Sequence, residues 1–266
     1  MFWQLNSFSY TFMEITFLGT GTSQGVPLIA CHCVVCQSSD PKDKRLRSSI
    51  LVCYDDKNYV IDSGPDFRQQ MLREQVQDLE ALMYTHEHKD HIAGMDDVRA
   101  FNYINKKAME IYCSGRVEEN LMREFPYVFA DEKYPGVPDV NLNRISKSTP
   151  FQLGSKTWIP VEVMHYKLPV LSFRIDDFAY ITDANFISEE ELEKLKGVKV
   201  LIINALRKEK HSSHFTLDEA LELIARLKVK RAYLSHISHQ LGNHQDVERE
   251  LPSHVRLAYD GLKINI

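Results

Sequence analysis

Apolar residues fall along this chain in short runs of strand length, several with strict alternation, each broken by turn residues. That pattern predicts strands at Glu14 to Leu18, Ser49 to Tyr54, Asn58 to Ile61, Ala81 to Tyr84 and Glu110 to Cys113. Further strands are expected at Trp158 to Met164, Leu171 to Ile175, Phe178 to Ile181, Val198 to Ile203 and Arg231 to Ser235, with Val255 to Ile266 read as a hairpin. Asp176-Asp177 marks a tight turn. Helical spacing is clearest over Leu217 to Leu227, where Leu217, Ala220, Leu221, Ile224 and Leu227 share a face and Thr216 with Glu219 forms a capping box. A second helix is expected after Ser188, capped in the same way by Glu191. The first half reads mostly as strands joined by short turns and the second as strands mixed with helices, which together predict two packed sheets with helices outside. Pro126 to Lys147 reads as one long irregular stretch, the kind of segment used as a lid or binding loop.

Composition narrows the class. At 266 residues one large domain is expected, covering 13–266 behind an N-terminal extension of residues 1–12, with Met13 an alternative start. Acidic residues number 37 against 32 basic, a net charge of −5, and no basic block exceeds the mixed stretch Lys42 to Arg47, which argues against nucleic acid or an anionic membrane as partner. No apolar run is long enough for a membrane span, and the first residues carry no basic secretory leader. Five cysteines, three of them crowded into Cys31, Cys33 and Cys36, cannot form a disulfide framework, so a reducing cytoplasmic compartment is expected.

The chemistry concentrates in Thr85-His86-Glu87-His88-Lys89-Asp90-His91, which directly follows an apolar strand. Neutral imidazole and carboxylate suit Zn²⁺, Mn²⁺ or Fe, and residues two apart on extended chain point the same way, so His86, His88 and Asp90 can converge, with His91 joining as a helix begins. His165, Asp183 and His236 each sit just past an apolar strand. In order and spacing, Asp62 in Val60-Ile61-Asp62-Ser63-Gly64 followed by these groups resembles the metallo-β-lactamase superfamily across Met13 to Ile266. The resemblance implies an α/β (α+β) fold, an αββα sandwich of two mixed β-sheets with helices on the outer faces. It further implies a dinuclear hydrolase site: one divalent metal on His86, His88 and His165, the other on Asp90, His91 and His236, with Asp183 bridging and Asp62 orienting ligands from behind. Two such cations, Mn²⁺ or Zn²⁺, lower the pKa of a shared water and clamp the oxygens of a displacement at phosphorus.

Cys31, Cys33 and Cys36, with His239 three residues beyond His236 on an expected helical turn, supply a closed tetrahedral set of the kind that holds a structural Zn²⁺. His32 competes with His239 as fourth ligand, but adjacent residues rarely converge on one ion. Together with Leu18-Gly19-Thr20-Gly21-Thr22 and Ser235-His236-Ile237-Ser238-His239, this site resembles the phosphoribosyl cyclic phosphate phosphodiesterase branch of the superfamily. The branch implies hydrolysis of small cyclic or linear phosphodiesters, His214 as a substrate contact and proton donor, Asp90 beside it in the catalytic set, and a homodimer. His214 precedes a capped helix whose N-terminus favours an anion, and Arg207 offers a charge-assisted phosphate contact. Asn204 stands where these relatives are expected to carry Asp before Ala205-Leu206-Arg207, so the support a carboxylate would give a neighbouring histidine is expected to be weakened. The competing readings are a tRNA 3′-processing ribonuclease, which needs a basic exosite absent here, a non-catalytic carrier related to a cofactor-biosynthesis member, and a thiol sensor at Cys31 to Cys36.

Overall fold

A computed structural model describes residues 12–266; of the expected extension 1–12, all but Phe12 lies outside them. The first sheet holds β1 Glu14–Gly19, β2 Ser49–Tyr54, β3 Lys57–Ile61, β4 Ala81–Met83, β5 Met109–Cys113 and β6 Val140–Arg144, with the late strand β14 Lys263–Asn265 outside β1. The second runs in the order β13-β12-β11-β10-β9-β8-β7 and is built from β7 Phe151–Leu153, β8 Lys156–His165, β9 Leu168–Ile175, β10 Phe178–Ile181, β11 Val200–Asn204, β12 Arg231–Ser235 and β13 Val255–Leu257. Both sheets mix antiparallel and parallel pairs.

Alternation along the strands explains the layers. Ile50, Val52, Tyr59 and Ile61 of the first sheet meet Trp158, Phe173, Tyr180 and Ile202 of the second in the central core. The intervening Leu51, Val60 and Leu82 face outward under α1 Phe67–Arg73, α3 Arg99–Asn105 and α4 Gly115–Glu124. On the other side Ala179, Ile181, Leu201 and Ile203 face α5 Glu189–Lys194, α6 Leu217–Leu227 and α7 His244–Glu250. The result is the expected αββα sandwich, completed by the one-turn α2 Lys89–Ile92.

Four expectations are corrected. Residues 255–266 are not a hairpin: β13 pairs parallel with β12, whereas β14 pairs antiparallel with β1 in the other sheet. The connection crosses because the Asp260 carboxylate accepts from Thr20 N and Leu46 N, and Gly261 N donates to Phe17 O. The stretch Pro126 to Lys147 contains β6, which extends the first sheet beside β5; Val140 and Leu142 pack on the outer core while Asn141 and Asn143 donate to Glu110. The helix after Ser188 has half a capping box, since Ser188 Oγ accepts from Glu191 N but the Glu191 carboxylate turns to Glu162 N and Lys194 Nζ, each at 2.7 Å. Helices are also not confined to the second half, because α1 to α4 all precede β6. Among the described residues no helix is long and apolar enough to cross a membrane.

Candidate metal centre and active site

Strand ends place the site. Asp62 follows β3, the His86 to His91 run follows β4, His165 ends β8, Asp183 lies two residues past β10 and His236 one past β12. Asp62, Asp183 and His236 all take left-handed backbone conformations, with φ of 66°, 52° and 53°. Such conformations are costly for residues other than glycine, and here they turn three side chains back into one cleft between the sheets. Leu171 N donates to Thr85 O at 3.0 Å, tying the second sheet to the loop that carries His86. Gly64 is packed so tightly that a Cβ there would lie 2.0 Å from Asp90 O, so the Ser63-Gly64 backbone forms the wall behind the second ligand group.

Asp183 is the hub. Its Oδ2 lies 3.1 Å from His91 Nε2 and 3.2 Å from His236 Nδ1, and its Oδ1 lies 3.8 Å from His214 Nδ1. Donor atoms gather around it in three overlapping groups: His86 with His91, His165 with His214, and Asp90 with His236. Asp90 Oδ2 is 3.1 Å from His91 Nε2. His88 stands at the exposed mouth of the cleft, its ring edge-on to His86 at 4.5 Å and to His165 at 5.1 Å between centroids. Six of the seven expected ligands thus fall within these donor groups, and His88 stands beside them through its ring contacts with His86 and His165.

Hydrogen bonds set which nitrogen of each ring faces inward. His91 Nδ1 donates to Asp62 Oδ2 at 2.7 Å, and Asp62 in turn accepts from Thr85 N and Oγ1. His86 Nδ1 lies 3.0 Å from Thr85 Oγ1, and His165 Nδ1 donates to Ser213 O at 2.8 Å. Each leaves the opposite nitrogen uncommitted, the arrangement that metal-bound histidines adopt. His86 Nε2, His91 Nε2, His214 Nδ1 and His236 Nδ1 are buried without a hydrogen bond. Burying one unpaired polar group costs roughly 1–3 kcal/mol, and four converging on two carboxylates fit a cation-binding centre rather than an apolar core. Burial, with the neighbouring His236, His165 and His211 imidazoles, pushes His214 down to about 3 despite the opposing charge of Asp183.

The second cluster also assembles. Cys31 Sγ and Cys33 Sγ lie 3.4 and 3.3 Å from His239 Nδ1, and Cys36 completes the group. His32 is exposed and outside it. His239 sits in a non-helical turn after β12, correcting the expected helical one. Its imidazole lowers the Cys33 thiol to about 6, whereas burial raises Cys36 to about 11.

Arg207 spends its guanidinium on Glu209 O, Lys210 O and Gln240 Oε1, bracing the loop before His214. Asn204 supplies support of a different kind from that expected of Asp. Its Oδ1 accepts from Ala184 N and its Nδ2 donates to Ala184 O, both at 2.9 Å, clasping the residue after Asp183 in both directions. A carboxylate cannot make the second bond. Asn204→Asp is therefore expected to lower stability by about 1–3 kcal/mol in urea denaturation, and an unchanged midpoint would count against the clasp. Thr85 and Ser213 were not singled out by sequence: a threonine beside histidines gives a faint signal, and Ser213 acts through a backbone carbonyl, which gives none.

These features define a member of the beta-lactamase superfamily, and a family model described as Beta-lactamase superfamily domain matches residues 57–237. The chain belongs to that superfamily and, within it, to the PhnP family. The crystal structure of a new diphosphatase from the PhnP family is 40% identical, covers 96% of this chain and 97% of that one, and superposes with a TM-score of 0.90. An octanoyltransferase of Porphyromonas gingivalis is 39% identical over 253 residues, 94% of this chain and 51% of that protein. The chain spans about half the length of the curated relatives it matches. The short form of human tRNase Z shares the fold, with a TM-score of 0.69 at 17% identity over 94% of this chain and 98% of that one. The chain has the metallo-β-lactamase fold, and its His/Asp clusters present the donor atoms that a divalent-metal centre requires.

Proposed function

We propose that the chain is a phosphodiesterase acting on small cyclic or linear phosphodiesters. The observation that carries this reading is His214, a buried imidazole with an unpaired Nδ1 set 3.8 Å from Asp183 and stacked 4.9 Å from His236, yet additional to the seven expected ligands. His86, His88 and His165 would hold one divalent cation, Mn²⁺ or Zn²⁺, and Asp90, His91 and His236 the other, with Asp183 shared; Cys31, Cys33, Cys36 and His239 would hold a structural Zn²⁺. When bound, the pair supplies positive charge for phosphoryl oxygens and acidifies water.

Hydrolysis joins a water oxygen to phosphorus and breaks one P–O bond, whose departing oxygen requires a proton. His214 is placed to give it. Burial suppresses its basicity, and the negative charge of a phosphoryl group beside the ring would act in the opposite direction, as Asp183 does. The PhnP-family diphosphatase, whose name places its chemistry at phosphorus, supports the same reading. His214→Ala is expected to lower kcat on bis-p-nitrophenyl phosphate roughly 10²–10⁴-fold while both metals stay bound. Equal turnover by the variant would remove His214 from the mechanism, and pre-tRNA cleavage without diester turnover would move the assignment to RNA processing.

A further inference from the structure

Two cavities meet at Arg116. The first, about 530 Å³, is the mouth of the metal centre, lined by His88, His165, Arg116, Lys167, Tyr166 and Ser213. The second, about 620 Å³, is lined by Arg116, Arg144, Ile145, Phe151, Pro169 and Leu171. Besides Arg116 they share a floor, since Leu168 of the first and Pro169 of the second are consecutive residues of β9. Both volumes lie in the range of small-molecule sites.

Charge divides the track into two chemistries. In the second cavity Arg144 is neutralised by Glu118 at 2.8 Å and Lys147 by Glu162 at 2.7 Å. Its apolar side is firm: the Phe151 ring stacks on Tyr112 at 5.2 Å and is backed by Trp158 at 6.1 Å. In the first, Lys167 has no carboxylate partner among the described residues, and Arg116 is paired with Glu87 through Nε alone. Anionic groups are therefore favoured beside the metal ligands, and an uncharged, planar or apolar group is favoured about one phosphate further on.

We propose that the second cavity is a subsite for the nucleoside end of the substrate, with Arg116 and Lys167 holding phosphate oxygens between it and the reacting phosphorus. This rests on the phosphodiesterase reading and narrows it to esters of nucleoside diphosphates, in which one phosphate lies between the nucleoside and the reacting phosphorus. The base occupies the space beside Phe151, Pro169 and Leu171, and the Glu162 carboxylate at the wall accepts from a sugar hydroxyl or exocyclic amine.

The test is calorimetric titration of the metal-loaded protein with adenosine 5′-monophosphate, ribose 5-phosphate and inorganic phosphate. The nucleotide is expected to bind about tenfold more tightly than ribose 5-phosphate, the difference being the seated base. Thr149 and Ser146 line the cavity from exposed loop positions, so Thr149→Trp and Ser146→Trp fill it without disturbing the core. Each should erase the nucleotide's advantage. Equal affinity of wild type for nucleotide and sugar phosphate, or an advantage that survives both variants, would overturn the subsite. Because these titrations involve no turnover, a retained nucleotide preference with no diester hydrolysis would strike the phosphodiesterase reading alone.

Discussion

Asp183→Asn is expected to lower kcat/KM on a phosphodiester by at least about 100-fold and to strip divalent metal from the protein while leaving it folded. Changes to groups that merely orient metal ligands cost roughly 10–100-fold, and Asp183 faces the ligands directly, with Oδ2 near both His91 and His236 and Oδ1 toward His214. Asparagine offers one carbonyl oxygen and no charge, so a single residue would have to serve three groups of donors with half the acceptor capacity. The fold should survive because asparagine tolerates the left-handed backbone at φ 52° better than most residues. Metal content by mass spectrometry, circular dichroism and turnover decide the matter together. A variant that kept its metals and its rate would show that Asp183 is not the shared ligand.

Cys33→Ala is expected to act on stability first. The Cys31, Cys33, Cys36 and His239 group joins a loop before β2 to the turn after β12, more than 200 residues away. A zinc ion there is folding free energy for the segments it joins. Losing about 3 kcal/mol would lower the melting temperature by roughly 6–12 °C in a domain of this size. One equivalent of zinc should leave with it, and the cleft metals should stay. A variant that lost hydrolysis at an unchanged melting temperature would reverse the roles assigned to the two clusters.

Local pattern foretold some parts of the structure and not others. Strand-length apolar runs revealed β2, β3, β10 and β11, because each is covered on both sides, whereas which residues face which core was not legible in runs apolar on both faces. The clustering of the histidines and aspartates was legible because such residues at successive strand ends are carried to one edge of the sheets. β6 was missed because its polar face, Asn141 and Asn143, looked like loop until Glu110 was seen to receive both amides. The supposed hairpin at 255–266 was misread because one buried carboxylate, Asp260, decides which sheet receives β14, and its partners Thr20 and Leu46 are more than 200 residues distant. Asn204 misled in a different way: its role depends on the backbone of Ala184, which no side-chain pattern records.

The pairing of β1 with β14 also bears on how the molecule is made. Glu14 aligns with Asn265, so one flank of β1 stays open until about 250 further residues have been synthesised. Contacts at such separation form late and slow folding. In the meantime the Glu14–Gly19 ribbon, nearly all buried in the finished sheet, presents an apolar edge of the kind that templates aggregation. Removing Lys263–Asn265 would make that passing hazard permanent, leaving a chain with every catalytic group in place and an open seam down one side.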